Sequence, residues 1–259
     1  RAPCATARGA SGASVVFKSQ AEGVAEYRAV YHGMQAEVDA EIGRVIDHLK
    51  QSGDYENTLI VQTSDHGEML GDHYMFGKFC YFDGAVHIPL IIRAPGADQA
   101  RGTQVDRFTE AVDIMPTMLE ALGLDIPSQV DGRSLVPFLN GESPSDWRRE
   151  AHWEYDFRDV IAGKPERDFG LTLDQCQLSV VRGERYKYIH FPGLPAVLFD
   201  LERVPNEYGN RADEQDYTHL VLEFACPVCT RTRPTQPSFT FSAGFCCLYN
   251  CKPYHLNSW

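Results

Sequence analysis

The run Thr58-Leu-Ile-Val-Gln-Thr63 ends directly on Ser64-Asp65-His66-Gly67, and this junction constrains the fold more than any other stretch of the chain. A β-branched, apolar run of this length reads as a strand, and the polar residues around Gly67 read as the turn that ends it. Ahead of it, Val30, Met34, Val38, Ile42, Val45, Ile46 and Leu49 recur at helical spacing, which predicts a helix over 26–51 that Gly53 ends. After it, Ile88-Pro-Leu-Ile-Ile92 has the length of a buried parallel strand, stopped by Ala94-Pro-Gly96. Residues 113–122 predict another helix, with Pro116 near enough to its start to be tolerated and Gly123 at its end. The order helix, strand, loop, strand, helix points to an α/β sheet. In such sheets ligands bind beyond the carboxyl ends of the strands, which is where Asp65 falls.

The later sequence reads differently. Leu178-Ser-Val-Val and Arg185-Tyr-Lys-Tyr-Ile-His-Phe flank Arg182-Gly183-Glu184 as a hairpin, and Val197-Leu-Phe-Asp-Leu201 supplies a third antiparallel strand. A small α+β subdomain is therefore expected after the main sheet. With 259 residues the chain can bury a sizeable core, and its 43% hydrophobic and 23% charged content is ordinary for a globular protein. No apolar run is long enough to span a bilayer. The net charge of −12 argues against a general nucleic-acid surface. It still permits an anionic substrate where a metal and a few cations reverse the local sign.

A carboxylate and an imidazole delivered side by side at a strand end can share one divalent ion, and Asp65 and His66 are such a pair. That ion would polarise an ester oxygen and sharpen a nucleophile. Lys78, further along the same loop, can hold a non-bridging oxygen of an anionic ester. The plainer readings are a backbone turn at Asp65 and a solvated lysine at Lys78. Asp72 and His73 are read as structural, and His87 as either structural or facing the pocket. Cys4-Ala-Thr-Ala-Arg8 has the spacing with which some hydrolases present a nucleophile and its cation, but reads as coincidence. Cys226, Cys229, Cys246, Cys247 and Cys251 crowd a tail without Asp or Glu. The tail resembles a zinc ribbon only superficially, because its second half lacks a clean C-x-x-C.

These residues resemble the sulfatases of the alkaline phosphatase superfamily. The resemblance rests on Tyr31 to Asp39, Asn57 to Val61, Thr63-Ser-Asp-His-Gly-Glu-Met-Leu-Gly-Asp-His73, Lys78 and Ile88 to Arg93. It continues through Asp113-Ile-Met-Pro-Thr117, Asp131-Gly-Arg-Ser-Leu135 and Leu198-Phe-Asp-Leu-Glu202 with Pro205-Asn-Glu207. Tyr81 to Pro89 and Ala151 to Val160 look most like the phosphonate monoester hydrolase branch. The resemblance implies an alkaline-phosphatase-like sheet, here partial, followed by the α+β subdomain. It implies one divalent ion (Mn, Ca or Zn) held by Asp65 and His66, with Lys78 contacting substrate. The family's other two metal-binding aspartates and its formylglycine nucleophile have no counterpart. Cys4 is not a convincing precursor, because Thr6 stands where the family has Pro or Ala.

The expected organisation is an irregular segment over 1–25, the sulfatase-like α/β part over 26–150, the α+β subdomain over 151–225 and a disordered, Cys-rich tail over 226–259 that the family lacks. The expected parent is a metal-dependent hydrolase of phosphonate monoesters, phosphodiesters or sulfate esters. It is expected to act on small molecules, with no nucleic acid or membrane partner, and to sit in the cytoplasm, with a signal peptide and a homo-oligomer both left open. The chain itself is expected to be a truncated form without the nucleophile. The alternative is an inactive scaffold or oligomerisation fragment, with or without zinc in the Cys tail.

Overall fold

The helical spacing ahead of the first strand becomes one continuous helix, α1 (Ala21–Ser52), in the computed structural model of the protein, which describes residues 21–159 and 161–231. The helix starts before residue 26 because its first turns are tied down by distant residues. Val24 packs on Gly71, and the Arg28 guanidinium donates to the Leu70 carbonyl at 2.7 Å and pairs with Asp72 at 2.7 Å. Gly53, at φ +82°, supplies the left-handed residue that ends it. Val30, Met34, Val38 and Val45 form a stripe on α1 in which each side chain is more than half exposed.

The described residues fall into two compact units divided between Arg101 and Gly102. In the first, β1 (Ile60–Thr63) is followed by a long loop, the short helix α2 (Asp83–Val86) and β2 (Leu90–Arg93). The two strands pair antiparallel, Ile60 opposite Arg93 and Thr63 opposite Leu90, which corrects the parallel reading of the second run. A parallel return needs a crossover, usually a full helix packed on the sheet. Here the connection doubles back on itself, closed by Gly67 N–H to Ala85 O at 2.8 Å and Thr63 Oγ1 to Pro89 O at 2.9 Å. Ile91 also stays 58% exposed, so β2 is not covered on both faces.

The second unit begins with α3 (Ile114–Ala121) and α4 (Val136–Leu139). A four-stranded antiparallel sheet follows: β3 (Glu150–Asp156), β4 (Gln177–Gly183), β5 (Tyr186–His190) and β6 (Val197–Asp200), in that spatial order, with α5 (Lys164–Phe169) between β3 and β4. The predicted hairpin and third strand are β4, β5 and β6. The edge strand β3 has no counterpart in the sequence reading. Val181, Tyr188, Leu198 and Tyr217 form a core against which Leu220, Val221 and Phe224 of α6 (Thr218–Arg231) pack. The helix runs past residue 225, where the composition changes. Cys4, Arg8, Cys246, Cys247 and Cys251 lie outside the described residues.

Two of the recurring motifs turn out to be structural ties within this unit. The fully buried Asp113 carboxylate accepts from Glu110 N and Arg133 N at 2.8 Å each and binds both arms of the Arg148 guanidinium. A Cβ on Gly132 would lie 2.0 Å from the Val112 carbonyl, so the segment over 131–135 can approach the turn ahead of α3 only with glycine there. Asp200 binds Arg185 at 3.0 Å and accepts from the Tyr217 hydroxyl at 3.0 Å. Burial pushes its carboxyl up, but these donors outweigh it and hold it below the usual carboxylate range. Lys187, under the Trp153 ring, is buried and paired with Glu207.

Candidate active site

Asp65 and His66 follow β1 at its carboxyl end, as the sequence predicts. Strand direction alone would scatter two adjacent side chains, but local hydrogen bonds turn them together. The Ser64 hydroxyl donates to the His66 carbonyl at 2.7 Å, and the His66 backbone N–H donates to Asp65 Oδ1 at 3.0 Å. Nδ1 of His66 lies 2.7 Å from the Gly67 carbonyl, which accepts its proton and so fixes the tautomer with Nε2 as the lone-pair nitrogen. That nitrogen sits 3.4 Å from Asp65 Oδ2. Two donors each about 2.0–2.2 Å from one ion at a tetrahedral angle lie about 3.3–3.6 Å apart. The pair therefore fits one divalent ion. Its carboxylate oxygen and imidazole nitrogen suit Mn²⁺ or Zn²⁺, and Ca²⁺ only with further oxygens. Among the described residues there is no group of three or more His, Cys, Asp or Glu side chains able to hold a metal.

The loop after the pair is tightly and unusually wound. A Cβ on Gly67 would lie 2.2 Å from the Gly84 carbonyl, so only glycine lets the loop press against α2. Leu70, His73 and Tyr74 all take left-handed backbone conformations, with φ between 51° and 59°. For residues with a side chain this costs about 1–3 kcal/mol each, and such strain concentrates at functional sites. Met69 is buried beneath the loop at 1% exposure.

Lys78 ends this loop, half-buried. Burial lowers its pKa, and the opposing pull of the Asp65 carboxylate brings it partly back up. Asp72 is engaged by Arg28, and the His73 ring stacks on Phe82 with centroids 3.7 Å apart. Both contacts fit the structural reading of those residues. His87 caps α2 and is exposed. Of the two cysteines described in detail, Cys80 and Cys176, both are buried. Neither has an arginine four residues on, where Gly84 and Val180 stand, so neither fits a formylglycine precursor. Sequence reasoning passed over Glu68, whose carboxylate is built into the loop. Its only signal was its place directly after Asp-His-Gly.

Comparison with known proteins names the family. The chain belongs to the sulfatase family of the alkaline phosphatase superfamily. The family described as N-sulphoglucosamine sulphohydrolase, C-terminal, matches residues 71–229, and Sulfatase matches residues 3–124. Within it, the chain is similar to the phosphonate monoester hydrolase of Agrobacterium radiobacter. That crystal structure superposes with a TM-score of 0.78 at 48% identity, over 82% of this chain and 42% of the other. The multifunctional alkaline phosphatase superfamily protein PehA of Trinickia caryophylli is 45% identical over 202 residues, 78% of this chain and 39% of that protein. An N-acetylglucosamine-6-O-sulfatase of Bacteroides thetaiotaomicron is 32% identical over 196 residues, 74% of this chain and 33% of its own length. The chain thus spans about two fifths or less of the length of these relatives.

Proposed function

We propose that Asp65 and His66 are two ligands of a divalent-metal centre, with Lys78 holding an anionic substrate oxygen beside it. The protein is then a hydrolase of phosphonate monoesters, phosphodiesters or sulfate esters. The reading is carried by one observation. Asp65 Oδ2 and His66 Nε2 converge at 3.4 Å while Nδ1 is tied to the Gly67 carbonyl. The names of the relatives support the ester class.

Hydrolysis adds water across a P–O or S–O ester bond and releases the alcohol. When bound, the ion supplies Lewis-acid polarisation of an ester oxygen. Asp65 contributes the negative charge that favours a cation, and the Gly67 carbonyl keeps the imidazole lone pair on Nε2. Lys78, partly withdrawn from water, offers a point charge to the non-bridging oxygens where negative charge grows in the transition state. Neither buried cysteine, Cys80 or Cys176, carries the Arg four residues on, and the described residues hold no group of three metal-ligating side chains, so the attacking group and the remaining ligands are assigned to polypeptide outside them. The matched Sulfatase region begins at residue 3 and takes in Cys4 and Arg8, which makes Cys4 the residue to control for.

Calorimetric titration of the full chain with Mn²⁺, Zn²⁺ and Ca²⁺ tests the reading. One weak site is expected, because two ligands bind a metal poorly. It should vanish in Asp65→Asn and persist in Lys78→Ala. Zinc retained in Asp65→Asn but lost in a Cys226→Ser, Cys229→Ser variant would instead support a tail module on a non-catalytic scaffold. On an aryl phosphonate or aryl sulfate the chain alone should turn over little or nothing. Appreciable turnover that survives Cys4→Ala would contradict the assignment of the nucleophile.

A further inference from the structure

We propose that Glu68 is the positioning residue for Lys78, strapping the end of the loop to its beginning. The inference rests on the reading of Lys78 as a substrate contact and deepens it. Asp65 and His66 open the loop and Lys78 closes it, and nothing in their spacing makes them meet. Oε1 of Glu68 accepts two backbone hydrogens, from Leu70 at 3.2 Å and from Gly77 at 2.6 Å. The Gly77 carbonyl in turn accepts from Met69 N at 3.1 Å. Both polar groups of the Gly77 backbone are therefore anchored on residues 68 and 69, and Lys78 is the next residue. Such bonds from N–H groups to a carboxylate are about twice as strong as neutral ones.

The anchor is itself held from both sides. Gly67 N–H donates to Ala85 O at 2.8 Å, which fixes the backbone just before Glu68. Tyr27, from α1, packs edge-on against Phe76 at 4.6 Å between centroids, and the nearby Glu68 carboxylate, after burial, raises its pKa. Glu68 is thus a half-buried carboxylate with two backbone donors, one from each side of the strained turn, and both close the loop. The left-handed backbone of Leu70, His73 and Tyr74 lies within the segment it closes. Without the strap, release of that strain would open the loop and carry Lys78 away from Asp65.

The test is the rate constant for acetylation of the Lys78 free amine in the full chain, taken from the pH dependence of labelling by a low concentration of acetic anhydride so that any change in its pKa is separated from access, and read by peptide mass spectrometry. Glu68→Ala should raise it several-fold, and Glu68→Gln, which keeps the acceptor oxygen, should restore it to near the parent rate. Glu68→Asp withdraws the oxygen from Gly77 while keeping the charge, and should also raise the rate; it serves if the alanine variant does not fold. Amide exchange of the β1–β2 pairs, measured alongside, should not change. An unaltered Lys78 rate in both Glu68→Ala and Glu68→Asp overturns the proposal. So does a parallel loss of β1–β2 protection, which would make Glu68 a general stabiliser. Neither outcome depends on metal, so failure of the metal reading shows separately, as binding that ignores Asp65→Asn.

Discussion

The two units of this protein solve the same folding problem to different extents. The second closes a four-stranded sheet over a core that includes Trp153, Val180, Ile189 and Leu198, all 4% exposed or less. Its buried charges are Glu110, Asp113, Lys187, Asp200 and Glu207, and each is tied into an ion pair. The first has a two-stranded sheet, a helix with an exposed apolar stripe, and a loop held by a few specific bonds around Glu68 and Gly67. A two-stranded sheet is marginally stable on its own, and the apolar stripe of α1 adds little burial, since each of its side chains is more than half exposed. The candidate chemistry sits on this sparer scaffold, so the stable part of the molecule and its proposed site are different parts. In the second unit, stability comes from burial. In the first, the placing of side chains comes from hydrogen bonds to backbone.

The contrast can be broken most forcefully at Arg148. Arg148→Met would leave Asp113 and Glu110 buried without their cation, and should destabilise the second unit by about 3–5 kcal/mol. Urea titration followed by tryptophan fluorescence would show it, since Trp147 and Trp153 both lie in that unit. An unchanged midpoint would mean that the ties are dispensable. Next comes a pair of truncations. Leu198→Ala, at a fully buried site, should cost about 2–5 kcal/mol. Met34→Ala, at 54% exposure on the α1 stripe, should stay within about 0.5 kcal/mol. Equal losses would show the stripe to be covered in solution. Gly67→Ala should cost about 1–3 kcal/mol by overpacking against the Gly84 backbone, and should weaken metal binding as the loop shifts. A variant with parent-like stability and metal affinity would refute the tight closure.

The smallest expected effect is one of pH. Burial lowers the pKa of His190, beside the Tyr188 hydroxyl at 3.3 Å. Protonation therefore favours the unfolded chain, and its stabilising share is full above the ordinary histidine value of about 6.5 and shrinks as pH falls below it. His190→Gln should flatten that slope in the second unit's urea midpoint between pH 6.5 and 5. A slope that persists unchanged assigns it to another group. Asp200 acts lower. Its depressed carboxyl contributes fully above about 4 and is lost only in stronger acid.

Much of this was legible in the residues. The helix over 26–51, the strand before Asp65 and the hairpin around Gly183 follow from periodicity and turn chemistry, which are local. β3 has no counterpart in the sequence reading, although Ala151, Trp153 and Tyr155 alternate with polar residues. What fixes it as a strand is its pairing with β4, Trp153 opposite Val180, a long-range choice. The direction of β2 was misjudged for the same reason, since an apolar run says nothing about which way its neighbour runs. At the site, Asp65 and His66 were legible because they are adjacent. The strap from Glu68 to Gly77 and the tie from Arg148 to Asp113 were not, because each joins residues that only the folded chain brings together.

The central claim is that His66 Nε2 and Asp65 Oδ2 share one metal ion at the end of β1. Nitrogen-15 NMR of the histidine rings, during Zn²⁺ titration of the full chain, tests it most directly. Before metal, His66 should show the tautomer protonated at Nδ1, the proton that the Gly67 carbonyl accepts. On titration its Nε2 resonance should shift while the other histidines, nine in all with His66, stay where they were. In Asp65→Asn the shift should be lost or need far more zinc. A His66 ring protonated at Nε2, or an Nε2 resonance indifferent to metal, would contradict the account.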